Sequence, residues 1–301
     1  MKFIVNGKDI TNDIEILQAS TIDKAAGIDT IDAVVSDTGK EWQVWDLKEE
    51  DSIEIIKNGF STGEMYINKA EITNGKCEIK ASALKRSQKN TKTFTLENST
   101  YLKLAETVAE ENELILKIFG IYNHEYDRVD CFQKTDIAFI YERGMLEGYN
   151  VKISDKSLVI YDIDEFENKN SVKDFTIDDF IYRYRFTRQN LDVYSKCIIE
   201  YYNDTLIKGE SIDSRIKNGS IIRPQIRINS IAEGERFSKN ILRYKNKGYI
   251  TAYFVIPFDS SLAGSSCINI NEVGRYSGKY FIEEIKHDFC NNKSIVRARK
   301  I

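Results

Sequence analysis

The run FQKTDIAFIYERGMLEGYNVKISDKSLVIYD, Phe132 to Asp162, compresses a helix, a stop and a tight hairpin into one continuous stretch. Ile137, Ile140, Tyr141, Gly144 and Met145 recur at the spacing of one helical face. Thr135 is placed to cap the start, and Asp136 suits the positive N-terminal end. Gly148 is placed to end the helix in a left-handed conformation. Val151 and Ile153 then alternate with Lys152 and Ser154, as in a half-buried strand. Ser154-Asp155-Lys156-Ser157 is turn chemistry, and Leu158–Tyr161 makes the return strand. The stretch contains no evident catalytic group. It reads as scaffold.

The remaining composition points to sheet. Seventeen Tyr and 15 Phe against 3 Met favour pleated surfaces, on which aromatic rings pack well. A length of 301 residues allows two or three domains, and 42% apolar content is enough for ordinary cores. The net charge of −4 gives no global drive toward nucleic acid or an anionic membrane. Five cysteines, at 77, 131, 197, 267 and 290, are odd in number and include no CxxC pair, which argues against a disulfide framework or zinc ribbon. Reduced thiols made in a bacterial cytoplasm are the simpler expectation. The N-terminal MKFIVNGKDI lacks the long apolar run of a signal peptide, and no run approaches a membrane span, so no membrane anchor is expected.

Along the chain, the fold class predicted is mainly β with an α+β insert: two barrel-like β domains flanking a small helix–hairpin module. Residues 1–90 form the first. Asn6-Gly7, Asn58-Gly59 and Asn74-Gly75 are favoured hairpin turns. Asp51–Lys57, Phe60–Ile72 and Cys77–Ala81 then read as a meander, with Ile28–Val35 as a further strand. Long open edges are a liability, so a small barrel or a strongly bent sheet is expected. Residues 91–171 form the insert. Tyr101, Leu104, Ala105, Val108 and Ala109 mark an amphipathic helix capped by Thr100, followed by a strand at Leu114–Phe119 and the opening helix–hairpin unit. Residues 172–301 return to strands at Ile181–Thr187, Ser195–Tyr202, Tyr249–Pro257, Cys267–Ile270, Tyr280–Phe289 and Ile295–Arg299. One helix interrupts them: Ser230 to Glu233 is a capping box, and Phe237, Ile241 and Tyr244 continue one face to Gly248.

Chemistry is sparse. His124, in Tyr122-Asn123-His124-Glu125-Tyr126-Asp127 near Cys131, offers the residue types of a metal site but no second histidine at helical spacing, so a plain loop histidine is expected. His287 shares strand parity with Phe281, Ile285 and Phe289 and reads as a core or interface residue. No local signature supports pairing it with a nucleophilic cysteine. Phosphate-binding glycine loops and the Gly-x-Ser-x-Gly elbow are missing from the sequence. Tyr182-Arg183-Tyr184-Arg185-Phe186-Thr187-Arg188 interleaves rings and cations. In a strand, the arginines at 183 and 185 would share one face and the rings the other, which reads as a charged exterior before it reads as a base-stacking platform. No catalytic, cofactor-binding or metal residue is predicted, and no cofactor.

Three places together resemble one family. They are Phe132–Ile140 followed by Glu147-Gly148-Tyr149-Asn150-Val151; Ser261-Leu262-Ala263-Gly264 with Cys267–Ile270; and the closing Tyr280-Phe281-Ile282-Glu283-Glu284-Ile285-Lys286-His287. In their order and spacing they resemble the late control protein D family, the baseplate hubs of contractile phage tails. That family is related to the hub-like front part of the type VI secretion VgrG spike proteins. The helix after Ser230 also sits where the family has one. Ile140, Glu142 and Arg143 depart from its more usual leucine-rich pattern, and across 1–90 the likeness is architectural only.

The resemblance implies a non-enzymatic hub in a phage tail or a phage-tail-like bacteriocin (tailocin), assembled as a homotrimer. It would join a six-fold tail tube, or its initiator protein, to a three-fold central spike among other baseplate proteins. It implies release inside a particle on lysis, and no tight nucleic-acid binding. Two other readings stand beside it: a β-rich carbohydrate- or receptor-binding module of a tail, and a baseplate-associated cell-wall hydrolase. The hydrolase needs a nucleophile or metal cluster that the sequence does not offer. The helix-bearing middle and the absence of repeats argue against the binding module.

Overall fold

The three Asn-Gly pairs in the first 90 residues form turns with both residues at positive φ: 47° and 75° at Asn6-Gly7, 49° and 81° at Asn58-Gly59, 50° and 72° at Asn74-Gly75. This is the backbone that a two-residue hairpin of native twist requires. The structure is a computed structural model. It describes residues 1–301 apart from 46, 49, 86, 87 and 89, and apart from the side chains of 41, 43 and 203. The strands Ser52–Lys57, Met65–Thr73 and Lys76–Ser82 are neighbours in one sheet, so the meander is present. Its middle strand differs from the expectation of one run from Phe60. Phe60–Ser61 pairs back on Ser52–Lys57, and the chain then breaks at Thr62-Gly63-Glu64 before resuming at Met65. The break is held by Thr62 Oγ1, which accepts from the Ile55 N–H at 3.0 Å, and by a positive φ at Gly63.

The larger departure concerns closure. Among the described residues the β-rich segments form no closed barrel. They share one 14-stranded sheet. Strand Ile16–Lys24 pairs with Thr30–Ser36 on one side and with Gly278–Asp288 on the other, in register from Glu284↔Lys24 to Asp288↔Ser20. Gly278–Asp288 pairs in turn with Lys293–Lys300, which pairs with Ile250–Pro257. The edge liability that favours closure is met instead by joining one segment's edge to the other's.

The helices are α1 (Glu41–Trp45), α2 (Tyr101–Glu111), α3 (Asp136–Glu147), α4 (Ile163–Asn168) and α5 (Ile231–Asn246). The insert contains a two-stranded ribbon, Thr91–Thr100 with Glu125–Thr135, that was not evident from the polar sequence. Its four-stranded sheet runs Ile115–Phe119, Ser157–Asp162, Tyr149–Ser154, Gly27–Ile28, so one strand is borrowed from the N-terminal segment. The opening stretch folds as read. The Thr135 side chain accepts from the Ala138 N–H at 3.1 Å, and Gly148 ends α3 with φ 88°. The buried face of α3 is rotated from the expected one, however. Phe139, Ile140, Gly144 and two acids, Asp136 and Glu147, are buried, while Ile137 and Tyr141 are only partly so. Phe139 is drawn in by Phe94 of the ribbon, ring to ring at 5.3 Å. Gly144 lets α3 lie close to its neighbours: a Cβ there would sit 2.8 Å from the Tyr101 hydroxyl.

Helix α5 begins at the expected cap, with the Ser230 hydroxyl accepting from the Glu233 N–H at 3.1 Å, but the Glu233 carboxylate accepts from the Asn229 N–H at 2.7 Å, one residue before the position a capping box uses. It covers a three-stranded sheet, Thr205–Ile212, Tyr194–Asn203 and Ser220–Ile222. Cys197, Ile199, Phe237 and Ile241 fill the space between, with Met145 and Leu146 of α3 packed against them. The helix touches the sheet backbone at Gly209, where a Cβ would lie 2.0 Å from the Gly234 carbonyl carbon. Gly209→Ala should therefore cost about 1–3 kcal/mol, as overpacking does. At Gly248 a Cβ meets nothing within 4 Å, so Gly248→Ala should stay within about 0.5 kcal/mol of the parent. Urea denaturation of both variants checks this; equal effects would show that the helix–sheet contact is not tight.

Candidate functional site

The two histidines singled out by their chemistry are placed apart and used internally. His287 is fully buried, with Nδ1 2.9 Å from the Ser294 hydroxyl and its ring packed on Phe60 and Phe258. Burial lowers its pKa, against the opposing pull of Asp23, the Leu262 carbonyl and Asp259. His124 precedes the Glu125–Thr135 strand, with Nε2 3.4 Å from Glu147. Burial lowers its pKa too, opposed by Glu147. Among the described residues no group of three or more His, Cys, Asp or Glu side chains is arranged to hold a metal ion. In the aromatic–basic run only Arg185–Arg188 is strand. Tyr184 and Phe186 join a ladder of rings from Phe180 to Tyr276.

Of the ionic junctions that tie the insert to the rest, Lys85–Glu113 and Lys156–Glu64 are more exposed pairs and three are more buried; sequence reading found none of them, because each joins residues far apart in the chain. At the first, Glu147, whose side chain is 0% exposed, receives the Tyr126 hydroxyl at 2.7 Å and Arg236 Nε of α5 at 2.5 Å. At the second, Lys152 Nζ bridges Asp23 and Asp29 of the N-terminal segment. Burial pushes the Asp29 carboxyl up to about 6 against the pull of Lys152, and the Asp23 carboxylate adds to the rise. At the third, Arg299 on the last strand bonds Glu167 of α4 and Glu283, while Arg243 of α5 bonds Glu167 at 2.5 Å and Asp164 at 2.6 Å.

A trough opens over this third junction. One cleft of about 500 Å³ lies beside the C-terminal half of α5. A second of about 840 Å³ crosses the strands Arg185–Arg188, Ile250–Pro257 and Lys293–Lys300. Lys247 and Arg299 line both. Arg188 stands in the first, its guanidinium 2.5 Å from the Tyr249 hydroxyl and facing that ring. The trough is rich in cations, a pattern suited to recognising anions.

No protein-family model and no curated protein matches the chain. Solved structures share its fold over nearly its whole length. The 43 kDa tail protein of prophage MuSo2 from Shewanella oneidensis has TM-score 0.77 at 10% identity, covering 99% of this chain and 97% of that one. A tail protein from Neisseria meningitidis has TM-score 0.77 at 12% identity, covering 99% and 95%. A type VI secretion system component from E. coli, described as structurally similar to bacteriophage T4 tail proteins, has TM-score 0.66 at 8% identity, covering 100% and 77%. The chain therefore has the fold of these tail and secretion proteins.

Removing the carboxylate from the first junction strands a partly buried arginine, so Glu147→Ala should cost about 3 kcal/mol in urea denaturation. A loss below about 1 kcal/mol would mean that Arg236 finds water and that the junction is not a brace. The second junction should show in pH dependence. Below its ordinary 3.8, Asp29 is neutral whether the chain is folded or unfolded. Between 3.8 and about 6 the unfolded chain releases a proton that the folded chain keeps, so stability falls as pH rises through this window, and the loss is complete above it. Asp29→Asn is neutral throughout and should lose less stability than the parent across the same window. Parallel pH profiles for the two proteins would rule out titration of Asp29 there.

Proposed function

We propose that the chain is a structural hub protein in the baseplate of a contractile injection particle, a phage tail or a phage-tail-like bacteriocin. It would work as a homotrimer and join a six-fold tail tube to a three-fold central spike. The observation that supports this most is the whole-length fold likeness to prophage tail proteins, together with the hub-like motifs in 132–151, 261–270 and 280–287. The likeness to a type VI secretion component supports the spike side of the reading. The division into 1–90, 91–171 and 172–301 belongs to the same proposal: two β-rich segments per chain, taken three times, would present six similar surfaces to a six-fold tube. Closed rotational symmetry buries such surfaces, whereas an open arrangement would give fibres. On this reading the protein is not an enzyme and is carried inside a released particle.

The test is mass measurement of the purified chain, alone and co-expressed with the spike protein. The expected outcome is a trimer, at least in the co-expressed sample, because the spike adds to the interface. Monomer or dimer in both samples, with no tube or spike partner retained, would overturn the hub reading in favour of a β-rich binding module.

A further inference from the structure

We propose that the trough over the C-terminal end of α5 seats an extended acidic segment of a partner protein. The charge bookkeeping of the fold motivates this. Most of the trough's cations are neutralised inside the chain: Arg243 and Arg299 by Glu167, Arg297 by Glu284 at 3.1 Å. Four are not. Among the described residues, Lys24, Arg185, Arg188 and Lys300 have no carboxylate at ion-pair distance, although all four line the trough. Arg188 donates to a tyrosine hydroxyl, and Lys300 donates to the carbonyls of Arg275 at 2.9 Å and Ser277 at 2.5 Å. A concave wall concentrates the field of such charges and makes them effective in capturing an opposite one.

The distribution of these cations favours an extended occupant. Arg188 and Lys300 line one cleft, and Lys24 and Arg185 line the other, so they do not converge on a point as donors for a single phosphate would. The interruptions favour a peptide over a nucleic acid. Asp164, Glu167, Glu283 and Glu284 lie between the cations, and evenly spaced phosphates would meet them as like charges. A peptide can space its acids to avoid them. A single strand would also want exposed rings for stacking. Two tyrosines line the trough: Tyr249 is only 8% exposed and already faced by Arg188 at 5.2 Å, and Tyr253 is half-buried, a single ring where a strand would want several.

The test is fluorescence anisotropy on the isolated, dilute chain, so it stands or falls apart from trimer formation. The probes are a labelled peptide of alternating Glu and Ser, a Lys–Ser peptide of equal length, and an oligothymidylate. The Glu–Ser peptide should bind saturably at low salt and weaken as salt rises, and the Lys–Ser peptide should not bind. The double variant Arg185→Gln/Arg188→Gln should weaken binding about tenfold with its melting midpoint unchanged. Lys24→Gln/Lys300→Gln, which alters the same two clefts from other strands, should do likewise, and it carries the test if the first variant misfolds. No saturable binding of the Glu–Ser peptide, binding unaltered in the folded variants, or oligothymidylate binding as tightly as the peptide would each overturn the proposal.

Discussion

Everything in this chain that acts over distance depends on one strand pairing. Gly278–Asp288 lies beside Ile16–Lys24, so the end of the chain completes the sheet begun at its start. Without that ladder each β-rich segment would present a long unpaired edge, which proteins avoid because it recruits other strands. The ladder also places the last strand against the insert. Arg299, on the strand next to Gly278–Asp288, reaches both Glu283 on that neighbour and Glu167 on α4. One register thereby fixes the sheet, the position of α4 and, through Arg243, the C-terminal half of α5. Closing so long a loop costs entropy before any contact rewards it, and topologies of this kind fold slowly.

The segments meet through apolar contacts, as where Ala25, Tyr161, Cys267 and Phe281 share one cluster, and through ionic junctions beside them. A buried ion pair gains little over a well-packed apolar pair, yet removing one partner is costly. Asp23, Asp29 and Lys152 illustrate what this does for geometry. A one-residue slip of Tyr149–Ser154 against Gly27–Ile28 would turn Lys152 to the other face of its strand and leave two carboxylates without their cation. Asp29 is only 3% exposed, a site dry enough for the penalty to be felt, and this burial pushes its carboxyl up to about 6. Apolar side chains supply the bulk of the cores, while these junctions penalise the wrong alignments between them.

Local features were legible in the sequence because their causes are local. An Asn-Gly pair needs only its own left-handed backbone, and the three read as hairpin turns take it, whereas Asn218-Gly219 does not. Thr135, Gly148 and Ser230 cap helices through atoms at most four residues away, and each does so as read. What failed was non-local. The face of α3 was misread because Asp136 and Glu147 look like solvent-facing residues until their partners are known: Lys92 for the first, and Tyr126 and Arg236 for the second. The Thr91–Thr100 and Glu125–Thr135 ribbon carries polar residues at most positions, so its alternation was too weak to announce strands. The trough is assembled from side chains that sequence places between 24 and 300, and no spacing rule joins them. A small barrel or a strongly bent sheet was expected of residues 1–90 from their edges alone, and a single sequence gives no sign that this edge belongs with that of the C-terminal segment.

The way the fold spends its reactive groups says where its activity lies. Cys77, Cys131, Cys197 and Cys267 are buried. Burial pushes the Cys77 and Cys197 thiols up to about 11, so they remain protonated and poor nucleophiles. His287 is held by Ser294 and two phenylalanine rings, and His124 leans on a carboxylate already engaged by Arg236 and Tyr126. Each of these groups is committed to internal packing. Lys24, Arg185, Arg188 and Lys300 carry charges that the chain leaves without a carboxylate partner, and they line a groove instead of scattering over the surface. Charge left unmatched in a concave place steers encounters and selects partners more than it stabilises the fold that carries it. The trough is where the chain's own electrostatics are incomplete.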